Sequence, residues 1–570
     1  MLKNKMSKLV AIASTVTLMA TLVTGCAAKP KTTTTDTSNL AAKQVVRYNL
    51  AADPKTVDPG LNDAVDGATV ICNAFEGLMR LDAKDKPIPG VAESYKVSAD
   101  QMTYTFKLKK DAVWSDGVAV KASDFVYAWT RVLDPATAST YAYQMYYIKN
   151  GQGYNESALP AAQKTPGVKP ATAAELGVVA TDDSTLVVTL ENPTSYFISL
   201  MAFPTYAPVR KDIIDAHPKD WALNPATYVV NGPFMMKSWV AKDTLTFVKN
   251  PKYWNAKAIK LNEIDYRLLD DETAYTNAFK AGEIDFIESP PQEETQQMLA
   301  DGTAKLYPYL GTYYIELNVV PEQAKLSADA QKVLKDPNIR KALSMAIDRT
   351  ALIKNVTKAN QLPALAFVPS GIPDPSTGKD FRAEKNYISK TADVAGAQKL
   401  LADAGYPGGK GFPKLEYLFN TSAGHQNIAQ ALQDMWKTNL GIDVSLKNEE
   451  WAVFQTTRQD HNFAIARGGW IADYTDPMTF LDMFTTGNGN NDPGYSNPAY
   501  DKAITAAKKE ANAKTRMTDM HNAEDILMAD MPIIPLYFYT NVVCMKPTVK
   551  GVHKSPLGFV FFDETYMTKS

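Results

Sequence analysis

Segments of two hydrophobic periods alternate along this chain from about residue 41 onward, and no other feature restricts its fold as much. Thr103-Tyr104-Thr105-Phe106-Lys107-Leu108 alternates polar and apolar residues, the period of a half-buried strand. Residues 185–190, 245–248, 313–317 and 442–446 also read as strands. Helical periods lie between them. Asp336-Pro337 opens one helix, with Asp as N-cap and Pro at the first helical position, and Ile339, Leu343, Ala346 and Ile347 mark its inward face. Asp393 opens a second, with Val394, Ala397, Leu400, Leu401 and Ala404 inward and Gly405 able to end it. A third carries Ile428, Leu432, Met435, Trp436 and Leu440 before Gly441. Interleaved elements of both kinds predict mixed α/β lobes, not a bundle or a solenoid, and there is no internal repeat. At roughly 150 residues per domain, 570 residues imply several lobes.

Composition removes several classes of function. Lys and Arg number 60 against 62 Asp and Glu, so no basic excess exists to hold nucleic acid phosphates. Three cysteines build neither a disulfide scaffold nor a structural zinc cluster. His217, His425, His461, His521 and His553 never fall within five residues of one another, so the HExxH type of metal site is absent. Gly408-Gly409-Lys410-Gly411 misses the phosphate loop at Ala404 and Gly411, and reads as a turn. Ser376-Thr377-Gly378-Lys379 matches Ser-x-x-Lys but lies in a Pro- and Gly-rich loop without a companion motif. No Gly-x-Ser-x-Gly elbow or dinucleotide fingerprint occurs, and nothing singles out a carboxylate pair for glycoside hydrolysis. The chain reads as non-enzymatic, with no cofactor and no metal.

The first 25 residues form an address. Lys3, Lys5 and Lys8 precede fifteen largely apolar residues at 9–23, too short and too rich in Ser and Thr for a comfortable membrane span. Val23-Thr24-Gly25-Cys26 then resembles a bacterial lipobox, which implies that Cys26 receives a diacylglycerol chain and becomes the first mature residue. Cleavage removes three lysines and no acid, taking the net charge from −2 to −5. Lys29-Pro30-Lys31-Thr32-Thr33-Thr34-Thr35-Asp36-Thr37-Ser38 lacks any core-forming residue, so 26–40 reads as a lipidated Cys and a flexible tether. No later segment is apolar for eighteen residues, so the globular part is expected outside the cell membrane, anchored to its outer face, or on the periplasmic side where an outer membrane exists.

Several segments, in order, resemble the extracytoplasmic solute-binding proteins of peptide ABC transporters (family 5, the oligopeptide- and dipeptide-binding proteins). They are Asn73-Ala74-Phe75-Glu76-Gly77-Leu78, Val91-Ala92-Glu93-Ser94-Tyr95-Lys96, Trp114-Ser115-Asp116-Gly117 and Ala122-Ser123-Asp124-Phe125-Val126-Tyr127-Ala128-Trp129. Asn231-Gly232-Pro233-Phe234, Ile339-Arg340-Lys341-Ala342-Leu343-Ser344-Met345-Ala346-Ile347-Asp348-Arg349 and Arg467-Gly468-Gly469-Trp470-Ile471-Ala472-Asp473-Tyr474 follow. The resemblance implies a three-lobed α/β fold. Lobe I would be built from 41–80, 211–310 and 526–570, lobe II from 81–210 and lobe III from 311–525, with ligand enclosed between lobes I and III by hinge closure.

It also implies a site. A receptor for many peptides must grip what all peptides share, the backbone and the termini. A buried ammonium needs a carboxylate, and Asp473 matches the position that receives the peptide α-amino group. The backbones of Gly469 and Ile471 match the stretch that pairs with the peptide, and Val65 is the candidate from the opposite lobe; where family members have a Pro nearby, this chain has Asp66. Trp470 and Trp451 match aromatic positions near ligand side chains, or are core residues. Arg467, Arg458 and His425 match positions that meet the peptide C-terminus, and Tyr141, in a Tyr-rich stretch that also holds Tyr143, is the preferred helper of Asp473. Ile471 stands where some relatives carry Cys, so no disulfide forms there; Cys72 and Cys544 both fall in lobe I and either pair or remain free thiols.

The expected function is a monomeric, lipid-anchored receptor that captures oligopeptides and hands them to an ABC permease. The same fold binding a dipeptide, a pheromone peptide, a nickel complex or haem is the alternative within the family. A secreted lipid-anchored hydrolase is the alternative from another class.

Overall fold

The computed structural model describes residues 39–160, 164–165 and 167–569. The leader 1–25, Cys26 and the tether up to residue 38 lie outside the described residues, and the body discussed below begins at Ala41. No described helix is long and apolar enough to cross a membrane.

Three larger sheets organise the body. The first has seven strands in the order Ala304–Tyr307, Asn541–Met545, Phe286–Glu288, Val45–Asn49, Glu263–Arg267, Thr244–Lys249 and Phe234–Val240. The second has four antiparallel strands drawn from residues 92–189. There Thr103–Leu108 buries Tyr104, Phe106 and Leu108 and turns the alternate residues outward, as its period predicts. The third runs Leu362–Pro363, Ile533–Phe538, Gly311–Leu317, Ile465–Ile471, Leu415–Asn420 and Val444–Glu449. Its central strands Gly311–Leu317 and Ile533–Phe538 are mostly apolar and buried at every residue. The architecture is three-lobed mixed α/β.

The helices read from sequence form with the caps assigned to them. Asp336 accepts from Asn338 N at the start of Pro337–Met345, and Asp393 accepts from Gly396 N at the start of Val394–Asp403. Ala423–Leu440 buries Ile428, Leu432, Trp436 and Leu440 and ends at Gly441, whose φ of 72° favours glycine. The two motif near-misses are turns: Pro407–Gly409 is a single 3₁₀ turn, and Ser376 to Gly378 close the ribbon of Pro373–Asp374 with Lys379–Asp380.

One expected boundary moves. Residue 526 falls inside the helix Ala513–Asp530, and the next strand, Ile533–Phe538, pairs with Gly311–Leu317 in the sheet of the 311–525 segment. Its residues are apolar at every position, so it needs cover on both faces, and a central place in that sheet supplies it. The chain returns to the seven-stranded sheet only at Asn541–Met545. The two crossings between these sheets, 308–310 and 539–540, are therefore antiparallel neighbours, tied by Tyr539 N donating to Gly311 O at 2.9 Å. Two short adjacent connections are the construction of a hinge. Cys72 and Cys544 are free, and they pack into separate apolar clusters. Burial pushes both thiols up, Cys544 to about 12.

Candidate functional site

A cavity of about 610 Å³ lies between the seven-stranded and six-stranded sheets, with Tyr141 of the four-stranded lobe on its wall. All ten residues expected at a ligand site line it: Val65, Tyr141, His425, Trp451, Arg458, Arg467, Gly469, Trp470, Ile471 and Asp473.

The strand Ile465–Ile471 forms its spine. One edge pairs along its whole length with Gly311–Leu317. The other pairs with Leu415–Asn420 only at Ile465 and Ala466. From Arg467 onward that edge carries no neighbouring strand, and its backbone groups are available to an added one. Gly469 and Ile471 are two apart, so their backbone groups point the same way. A Cβ on Gly469 would lie 2.5 Å from the Tyr539 hydroxyl and 3.0 Å from Arg467 Nη2, so glycine lets both crowd the strand.

Asp473 follows the strand and is buried. Its Oδ1 accepts from the Tyr141 hydroxyl at 3.1 Å and its Oδ2 from Gln144 Nε2 at 2.7 Å, while Thr479 Oγ1 accepts from its backbone N–H. Among the described residues no cation lies within ion-pair distance of it. Burial holds its carboxyl well above the usual carboxylate range, the Tyr141 hydrogen bond pulls it back, and Asp482 pushes it further up. It does not cap the turn at Asp476-Pro477; Asp476 instead binds Arg516 through both oxygens at 2.7 and 2.8 Å. The Tyr register resolves to Tyr141. Gln144 was not read from the sequence; the structure winds Ala142–Met145 as a 3₁₀ helix with Tyr141 before its first residue, which sets residues three apart on one side and brings both to Asp473.

Arg467 is the counterpart. It is half-buried at the cavity wall, its Nη2 donates to Tyr539 at 3.0 Å, and its guanidinium lies 5.1 Å over the Tyr313 ring. No carboxylate of a described residue lies within 4 Å, and its Nε has no partner. His425, on the first turn of Ala423–Leu440, is 3.3 Å from the Tyr313 hydroxyl through Nδ1. Burial and then the neighbouring Arg467 charge push its pKa well below the ordinary histidine value, so it is neutral. Arg458 differs: Glu316 at 2.8 Å and Asp492 at 3.1 Å already neutralise it.

Aromatic residues fill the wall between. Trp470 lies nearly parallel to Tyr141 at 6.1 Å between centroids, and its buried indole N–H has no partner. Trp451 instead spends its N–H across the cleft on Asp66 Oδ2, at 3.1 Å. Five further hydrogen bonds join the same two sides. Asp63 accepts from Gln455 at 3.0 Å and Gln459 at 2.5 Å, and Gln292 Oε1 accepts from Asn427 at 3.1 Å. Glu272 accepts from Ser422 Oγ at 2.7 Å and Gly424 N at 3.2 Å, which sets a carboxylate at the N-terminus of Ala423–Leu440. Val65 meets the other side through Gly558, where an added Cβ would lie 3.0 Å from Val65 and 3.4 Å from Ile471.

Comparison with known proteins follows the same lines. Residues 86–492 match the family model described as bacterial extracellular solute-binding proteins, family 5 Middle. The oligopeptide-binding protein OppA of Bacillus subtilis strain 168 is 36% identical over 535 residues, covering 92% of this chain and 93% of that protein. The Haemophilus influenzae OppA complex with the peptide RPPGFSPFR superposes with a TM-score of 0.84 at 32% identity, covering 93% of this chain and 100% of that one. The murein tripeptide-binding protein MppA in its unliganded open form reaches 0.61 at 34% identity, with 93% and 99% covered. The lobes here are arranged as in the peptide complex more than as in the open form.

Proposed function

We propose a role in peptide uptake for this chain, which belongs to the bacterial extracellular solute-binding proteins of family 5: it encloses short peptides between its two cleft-forming lobes and delivers them to an ABC transporter permease. The observation that carries this reading is a pair of unmatched charges at the cavity wall, Asp473 buried and Arg467 half-buried. Among the described residues Asp473 has no cation and Arg467 no carboxylate within ion-pair distance, and an open strand edge runs between them. A peptide supplies an ammonium for the first, a carboxylate for the second and backbone groups for the edge. Six residue steps at about 3.3 Å put the two Cα atoms no more than roughly 20 Å apart, which with side-chain reach suits peptides of about three to five residues.

In this reading Trp470 and Tyr141 wall the ligand's first residues, His425 assists Arg467, Arg458 serves longer or differently seated peptides, and Val65 meets the peptide from the opposite lobe. The division of the chain into lobes and the lipid anchor on Cys26 belong to the same proposal, as does a monomeric, extracytoplasmic receptor without catalysis. Among the described residues no group of three or more His, Cys, Asp or Glu is placed to hold a metal, so nothing here favours the nickel reading.

Calorimetric titration of refolded protein with a free tetrapeptide, its N-acetylated form and its C-amidated form tests this. Micromolar or tighter binding that collapses on acetylation is the expected result, and equal affinity for all three forms would sink it. Arg467→Met is expected to weaken the free peptide by about 2 kcal/mol, roughly 30-fold, and the amidated peptide far less, because only the former has a carboxylate to lose.

Closure has its own pH signature. Burial raises Asp66 to about 6, the Gly67 N–H draws it down, and the Asp63 charge adds to the rise. A carboxyl whose value rises on closing favours the closed state when protonated, and that contribution is lost as pH rises through about 6. Asp66→Asn is therefore expected to bind tetra-alanine more tightly than wild type at pH 7.5, by about tenfold, and the gap should narrow as pH falls through about 6 and close only near the ordinary carboxylate value, about pH 4. A gap that widens on acidification would refute this account.

A further inference from the structure

We propose that Asp63, Asp66, Gln455 and Asp492 form a subsite for a basic side chain, lysine or arginine, of the bound ligand. The inference rests on the peptide reading and adds a substrate class to it.

The argument begins with the charge of the wall. Eight carboxylate residues line the cavity against three cations, Lys242, Arg458 and Arg467. The imbalance is local as well. The Asp63 side chain is 5% exposed, and the nearest cation, Lys55, stands 4.0 Å away and donates to Gln459 instead. Arg458 places its Nη1 between Glu316 and Asp492, and no ion pair joins it to Asp63 or Asp66 among the described residues. Burial drives Glu316 and Asp492 upward, Arg458 offsets part of the rise, and the neighbouring charges of Asp492 and Asp63 respectively add to it.

Gln455 supplies an independent observation. It is 2% exposed and lines the cavity. Its Nε2 donates to Asp63 Oδ1, which fixes the amide orientation, and its Oε1 is buried without a partner. A buried acceptor left open beside a carboxylate costs free energy until a donor arrives. An ammonium brings three donors and a guanidinium five, and each carboxylate here has unused lone pairs. Trp451 and Tyr141 line the same cavity and offer apolar cover to the methylene stem. Tyr141, whose hydroxyl donates to Asp473, lines the same cavity as Asp63 and Gln455, which joins the subsite to the ammonium end.

The test is calorimetry with tetra-alanine and with tetrapeptides carrying one lysine, norleucine or glutamate at each position in turn. At one of the first two positions lysine is expected to bind at least tenfold more tightly than norleucine, with glutamate weakest. Asp63→Asn and Asp66→Asn, each checked for cooperative melting, should bring the lysine-to-norleucine ratio toward one. That ratio is internal to each variant, so a general loss of closure does not mimic the result. Ratios within twofold at every position, while tetra-alanine still binds, would overturn the subsite and leave the peptide reading standing. A preference that survives both substitutions would also overturn it. Failure of every peptide to bind would remove the peptide reading and the subsite together.

Discussion

Asp473→Ala is expected to weaken a free tetrapeptide by two to three orders of magnitude and to leave the N-acetylated peptide, already weak, nearly unchanged. The carboxylate is buried, held by Tyr141 and Gln144, and aimed at the cavity with no cation beside it. Removing one partner of a buried ion pair costs about 3–5 kcal/mol, because the ligand's ammonium would be desolvated without compensation. The same geometry predicts an opposite effect on the empty protein. Burial, more than the charge of Asp482, holds this carboxyl above its ordinary range against the pull of Tyr141. A raised carboxyl favours the folded state below its unfolded value and loses that contribution as pH rises through its folded value. Asp473→Asn should therefore raise the melting temperature of refolded, peptide-free protein at pH 8, and the gain should shrink toward pH 4. Wild-type affinity in Asp473→Ala would end the ammonium assignment; a variant less stable than wild type at pH 8 would end the electrostatic account of the empty site.

The second large effect concerns stability away from the cavity. Glu524, on Ala513–Asp530, is fully buried, and its Oε1 accepts from Arg382 Nη1 at 2.6 Å, Val368 N at 2.9 Å and Phe367 N at 3.2 Å. One oxygen thus anchors a guanidinium and a loop to a helix. Glu524→Ala leaves a buried cation and two backbone donors unsatisfied, an expected loss of about 3–5 kcal/mol, read from the urea midpoint. Combining Glu524→Leu with Arg382→Met should recover most of it, because the uncompensated charge is then gone. A loss below about 1 kcal/mol in Glu524→Ala, small beside the usual cost of breaking a buried pair, would mean that water reaches the site.

Local elements were legible because their causes are local. The N-caps Asp336 and Asp393 and the stop at Gly441 act within a turn of their helices, and each forms as read. The segment 526–570 is expected in lobe I, yet its strand Ile533–Phe538 pairs with Gly311–Leu317, because an apolar run says that a strand needs cover and not which sheet provides it. Gln144 was passed over for a related reason: glutamine carries no charge to attract notice, and its value comes from reaching a carboxylate more than three hundred residues away.

What the sequence determined alone is the class of lobe, the expectation of a leader and lipid-bearing cysteine, and the residue types able to meet a peptide's two ends. Those depend on neighbours along the chain, on periods, and on the resemblance of ordered segments. Only the tertiary structure decided which charges stand unmatched. Arg458 and Arg467 look alike in the sequence, yet one is neutralised by Glu316 and Asp492 and the other faces the cavity without a carboxylate. Whether a buried charge is satisfied depends on what surrounds it within about 4 Å, and that shell is assembled from lobes distant in the chain.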